Sequence, residues 1–113
     1  MKSKILALSK NEEFKDLLKK KKVSNKYVTI FFGSLDNKSN KNLNISFVVQ
    51  KKLGNAVKRN KIKRRLKNLM NKIVKETKIN LNYSYLFIAK KEIINANFSD
   101  IKETILKNCK KIK

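Results

Sequence analysis

The spacing of apolar positions changes several times along this chain, and each change marks an element. Phe14, Leu17 and Leu18 fall at i, i+3 and i+4, the spacing of one helix face. Ser9-Lys10-Asn11-Glu12, just upstream, has the form of a capping box. Together they predict a short helix running to about Lys22, closed by Lys19 to Lys22, cations that suit a helix C-terminus. "KYVTIFF", residues 26–32, is β-branched and aromatic and predicts a strand. "GSLDNKSNKN", residues 33–42, reads as a polar loop. "LNISFVV", residues 43–49, sets Leu43, Ile45, Phe47 and Val49 against Asn44, Ser46 and Val48. That alternation predicts a strand with one firmly buried face. The two strands and the short loop between them suggest a hairpin.

Gly54-Asn55 breaks the strand pattern, and Asn55 is a fair N-cap. Ile62, Leu66, Leu69, Met70 and Ile73 then trace a helical stripe to about Lys75. "YSYLFIAKK", residues 83–91, is a third strand, and "NFSDIKETILKNCKKI", residues 97–112, a last amphipathic helix with Phe98, Ile101, Ile105 and Cys109 on one side. The order helix, strand, strand, helix, strand, helix predicts an α/β (α+β) sandwich, with about three helices packed on a small mixed sheet. A chain of 113 residues with no repeats and no Gly/Ser or Pro linkers is expected to be a single domain, 1–113.

Charge adds a partner to this picture. Thirty Lys and Arg against eight Asp and Glu give a net charge of +22. Such a surplus repels itself in the compact state unless anions relieve it. Nucleic acid is the first expected partner, and an anionic membrane the second. Lysine and asparagine are so frequent here that a single lysine means little. Arginine is different: the chain has only Arg59, Arg64 and Arg65, within seven residues. Its planar, multi-donor fork grips phosphate as an ammonium cannot.

These arginines lie in a stretch that breaks the rules of a solvated helix. No Asp or Glu occurs from residue 37 to 75, and residues 58–67 hold seven cations in ten positions. Lys58 and Arg59 sit in the first turn, at the positive end of the dipole, where each costs about 0.3–1 kcal/mol. Like charges at i, i+4, as in Arg59–Lys63 and Lys61–Arg65, cost a few tenths of a kcal/mol, roughly, per pair. Local violations of this kind mark functional sites. With Ile62, Leu66, Leu69 and Ile73 facing a core, Lys61, Arg64 and Asn68 point outward, Arg65 and Lys72 flank one side, and Lys63 and Lys67 the other. The helix N-terminal amides add a further anion site. A plain solvated face would mix signs. A membrane-surface helix would keep its apolar stripe and large aromatics for lipid, whereas this stripe is expected to pack on the sheet, so no membrane partner is expected.

The remaining chemistry is sparse. There is no His, no Cys/His cluster for zinc, and no glycine-rich phosphate loop, since Gly33 and Gly54 are the only glycines. The chain is therefore expected to carry no catalytic residue and to bind no cofactor by itself. Cys109 is alone and reads as a small apolar residue of a helix face, which fits a cytoplasmic protein. The apolar patch Ile5 to Leu8 is too short for a secretory segment. The strand aromatics Phe31, Phe32, Phe47, Tyr83, Tyr85 and Phe87 could stack on unpaired bases, but strand aromatics are more often core.

"KKLGNAVKRNKIKRRLK", residues 51–67, resembles the signature of the bacterial ribonuclease P protein component, approximately K-K-x-G-x-A-V-x-R-N-R-I-K-R. "LSKNEEFKDLL" resembles that family's first helix, "YVTIFF" and "ISFVVQKK" its strands, and "YLFIAKK" the strand after its long helix, so the resemblance covers nearly the whole chain. It implies a protein that binds a large catalytic RNA, the pair removing the 5′ leader from precursor tRNA, with magnesium and the RNA performing the hydrolysis. It also implies a sandwich like that of ribosomal protein S5, with a left-handed crossover, against the strong right-handed rule. The motif carries RNA contact onto Arg59, Asn60, Lys61, Lys63, Arg64 and Arg65, with Lys51, Lys52 and Asn55 leading in. Lys61 stands where the motif usually has Arg. The family's leader cleft, between the first helix and the sheet, would be lined by Phe14, with Leu18 where a second aromatic is often found, and by Phe87 and Ala89. A structural RNA-binding protein of ribosomal type, with no processing role, is the alternative.

Overall fold

The computed structural model describes residues 5–6, 11–34 and 43–112. Its elements are β1 (Ile5–Leu6), α1 (Asn11–Leu18), β2 (Lys21–Ser24), β3 (Val28–Gly33), β4 (Leu43–Val48), α2 (Ala56–Glu76), β5 (Ser84–Ala89) and α3 (Phe98–Lys111). The strands form one mixed sheet in the order β1-β4-β5-β3-β2. The Ser9–Lys10 half of the expected capping box and nearly all of the 33–42 loop lie outside the described residues.

β5 occupies the centre. It runs parallel to β4, with Phe47 opposite Phe87, and antiparallel to β3, with Ile30 opposite Phe87. Parallel neighbours need a long crossover, and α2 supplies it between β4 and β5. The expected hairpin of residues 26–32 with 43–49 does not form, because β5 inserts between these strands. The reason is visible in β5 itself. Five of its six residues are buried, and a strand without alternation belongs in a sheet covered on both faces.

The hairpin in the structure joins β2 to β3. The first helix stops at Leu18 rather than near Lys22, and Lys21 and Lys22 enter an edge strand. Asn25 makes the turn: its Oδ1 accepts from the amides of Tyr27 (2.7 Å) and Val28 (2.9 Å). Val23 supplies the inward contact of β2, while Lys21, Lys22 and Ser24 stay exposed. Edge lysines of this kind discourage edge-to-edge association.

The two faces of the sheet carry different cores. Val28, Ile30, Phe32, Ile45, Tyr85, Phe87 and Ala89 pack with Ile62, Leu66, Leu69, Met70 and Ile73 of α2 and with Ile101, Ile105 and Cys109 of α3. Phe47 meets Phe87 edge to face at 5.5 Å. The opposite face is thinner: Leu17 of α1 packs on Leu86, flanked by half-buried Phe31, Val48 and Ile88. α3 occupies the expected stretch and is capped by Asn97, whose side chain accepts from the Asp100 amide at 2.9 Å. An ion pair between Lys102 and Glu76, 2.6 Å, ties α3 to the end of α2.

Cys109 is 6% exposed, and burial pushes its thiol up to about 12. A raised thiol pKa favours the protonated, folded form, so this contribution is complete below the ordinary value of 9.0 and is lost as pH climbs towards 12. At pH 8 an alkylating reagent is expected to modify Cys109 only as fast as the protein opens. Labelling that matches the rate in denaturant would contradict its burial.

Candidate nucleic-acid interface

The approach to α2 is built for close turning. Lys51–Leu53 form a single 3-10 turn, pinned by buried Leu53, with Lys51 and Lys52 exposed. Gly54 follows with φ 148° and ψ −177°, a region open essentially to glycine alone. A Cβ there would come to 3.0 Å from Lys58 Cβ. Asn55 is then the N-cap, its Oδ1 accepting from the Lys58 amide at 2.9 Å. The glycine and the cap together fix the angle between Lys51–Lys52 and the helix.

α2 buries Ile62, Leu66, Leu69, Met70 and Ile73, the five residues of the sequence stripe. Everything between them faces out: Lys58, Asn60, Lys61, Lys63, Arg64, Arg65 and Lys67 are exposed. Arg59 is half-buried, and its Nε is enclosed without an acceptor among the described residues. Arg65 borders the crevice between α2 and α3, beside Phe98 and Ile101. Lys72 is turned the same way, its Nζ 5.0 Å from the centre of the Phe98 ring. No acid occupies the first turn. Among the described residues no carboxylate pairs with any cation from Lys51 to Lys67. The ridge thus keeps its field for an outside partner. Among the described residues no three His, Cys, Asp or Glu side chains gather as a metal site, and no helix is long and apolar enough to cross a membrane.

The structure brings the nine ridge positions together on α2 and its entry turn. It does not bring the cleft positions together. Phe87 (1% exposed) and Ala89 (4%) lie in the main core under α2, so the expectation that they line a cleft beside α1 is corrected. Strand alternation sends Tyr85, Phe87 and Ala89 to one face and Leu86 and Ile88 to the other. The α1 face is lined instead by Leu17, Phe31, Val48, Leu86 and Ile88. Leu18 is 48% exposed, and Leu17 rather than Leu18 seals α1 to the sheet. The Phe14 side chain lies outside the described residues. Period-two counting from buried Ile30 would have found Phe31.

Residues 3–113 match the family model described as Ribonuclease P. The chain belongs to the ribonuclease P protein family. It is 33% identical over 106 residues to the ribonuclease P protein component of Alkaliphilus oremlandii, covering 93% of this chain and 89% of that one. The corresponding protein of Mesomycoplasma hyopneumoniae is 32% identical over 111 residues, covering 97% and 95%. The RNase P protein structure from Staphylococcus aureus superposes with a TM-score of 0.74 at 28% identity, covering 96% and 95%. That from Thermotoga maritima, at 23% identity and a TM-score of 0.72, shares the fold. The chain is thus the protein component of a ribonucleoprotein endoribonuclease that acts in tRNA 5′ maturation, and ribonuclease P RNA is its partner. A ribosomal-type role without processing is not favoured.

Two predictions follow from the ridge geometry. Arg64→Ala and Arg65→Ala are each expected to weaken RNA binding and to lower the salt slope of log K by about one unit. A slope unchanged in a salt titration would exclude direct phosphate contact. Gly54→Ala is expected to cost about 1–3 kcal/mol in chemical denaturation, and to weaken RNA binding further by rotating Lys51 and Lys52 away from α2. Full affinity in the folded variant would show that the entry turn does not position them.

Proposed function

We propose that this protein holds two RNAs at once. The ridge of Lys51, Lys52, Asn55, Arg59, Asn60, Lys61, Lys63, Arg64 and Arg65 takes the catalytic RNA near its active centre. The α1 face of the sheet takes the single-stranded 5′ leader of precursor tRNA. The observation that carries this reading is the acid-free ridge: seven cations within residues 58–67 and no carboxylate partner for them among the described residues. A dense fixed charge of that kind neutralises phosphates on two strands that would otherwise repel. Phe31, Val48 and Ile88 are half-buried apolar side chains on the opposite face, suited to contact unpaired bases.

On this reading the hydrolysis and its magnesium belong to the RNA. The protein binds no cofactor, supplies no catalytic group, works in the cytoplasm and lowers the magnesium needed to bring the two RNAs together. Arg59 adds a specific element: its enclosed Nε has no acceptor among the described residues, and a guanidinium left unpaired is suited to a phosphate docked on the ridge.

Reconstitution tests the proposal. Adding the protein to a bacterial ribonuclease P RNA at low magnesium is expected to restore leader removal, and high magnesium is expected to make the protein dispensable. Absence of stimulation at low magnesium would overturn the reading.

A further inference from the structure

The run Lys19 to Lys22 is left unused by the ridge and by the α1 face. α1 ends in a turn in which the Lys20 amide donates to the Leu17 carbonyl at 3.0 Å, and the chain enters β2 with Lys21 opposite Phe32. Lys19, Lys20 and Lys21 line, with Phe32, Gly33 and Tyr83, a groove of about 500 Å³ at the foot of the sheet. The rings of Phe32 and Tyr83 lie 5.5 Å apart, tilted by 45°. Gly33 matters here for its missing side chain: a Cβ would come to 2.7 Å from Lys20 Cγ. The first three side-chain carbons of Lys20 therefore lie against the strand at Gly33, beside the groove. Among the described residues no acid lines the groove, and none of its lysines has a carboxylate partner.

The position of this groove is as telling as its lining. β4 and β5 run parallel, so the ridge, which follows β4, lies at their C-terminal end. The groove lies at the N-terminal end of β5, where Gly33 pairs with Ser84. The six residues of β5 separate the two by about 20 Å. Phe31 and Ile88 lie between them on the α1 face.

We propose that this groove is a second single-stranded RNA contact, which takes the phosphates and a base of the distal, 5′-ward part of the leader after it has crossed the α1 face. This rests on the leader reading above. Ammonium groups beside an aromatic ring are what sequence-tolerant strand binding requires; the ring here is half-buried Tyr83, which rests on core residue Phe32. The test is the affinity of the reconstituted complex for precursors whose leaders lengthen one nucleotide at a time. With the native protein, affinity rises in two stages. The double variant Lys20→Gln, Lys21→Gln loses only the second stage and lowers the salt slope on long leaders by about 1.4, from about 0.7 per single-strand phosphate; Lys20→Arg, Lys21→Arg retains both. Phe31→Ala blunts the first stage. A double Gln variant that binds long leaders like the native protein, or weakens every substrate equally, overturns the groove while the Phe31 result stands. Indifference to Phe31→Ala together with a single flat affinity overturns the leader reading and the groove with it.

Discussion

Everything in this fold depends on the anchoring of one helix by its apolar stripe. α2 carries cations in its first turn, like charges one turn apart and no compensating acid until Glu76. In isolation these terms and the cost of nucleation would leave it frayed. Burial of Ile62, Leu66, Leu69, Met70 and Ile73, each at or below 8% exposure, contributes about 1.5–3 kcal/mol per side chain. The repulsive terms are each about 1 kcal/mol or less. Packing wins, and it wins on one face only, so the charged face is displayed at fixed spacing. On the proposed reading a partner RNA meets cations already ordered, and less of the binding energy is lost in arranging them.

The topology follows from the same helix. A crossover that long returns the chain parallel to β4, and β5 becomes the central strand. Its two sets of side chains then serve two cores. Phe87 and Tyr85 pack beneath α2, and Leu86 and Ile88 face α1. The α2 core is deep and makes the molecule stable. The α1 core, centred on Leu17 and Leu86, is shallow and leaves half-buried side chains within reach of solvent. The rigid basic ridge and the thinner apolar face are therefore consequences of one chain path.

Elements with strong periodicity could be read directly from the residues. The α2 stripe and its Asn55 cap stand where the spacing put them, and α3 runs over the stretch its apolar face marked. Strand pairing was less accessible, because pairing is a property of the whole sheet. β3 and β4 were each recognisable, but nothing local in either says that β5 comes between them. The clue lay in "SYLFIA", whose lack of alternation marks a strand covered on both sides. β2 was hidden by composition: three of its four residues are Lys or Ser, and Val23 alone carries an inward signal. The cleft assignment failed at Phe87 and Ala89 for a related reason. A strand apolar on both faces gives no sign of which core each set of side chains meets, and only the partner helices decide it.

The division of labour between arginine and lysine on this surface has a physical logic of its own. Lysine is the default cation of the chain, flexible and strongly hydrated, and it supplies field rather than geometry. The three arginines occupy positions where α2 already restricts the side chain or aims it outward. Arg59 is half-buried, Arg65 borders the α2–α3 crevice, and Arg64 is exposed on the side of the helix away from the buried stripe. A guanidinium loses little further freedom when a phosphate arrives at such a site, and its fork can make two directed bonds. The surrounding ammonium groups raise the local concentration of RNA without dictating its pose. On the proposed reading, a surface built this way attracts polyanions broadly and sets their register at three points on α2, so that a partner is both captured and correctly placed.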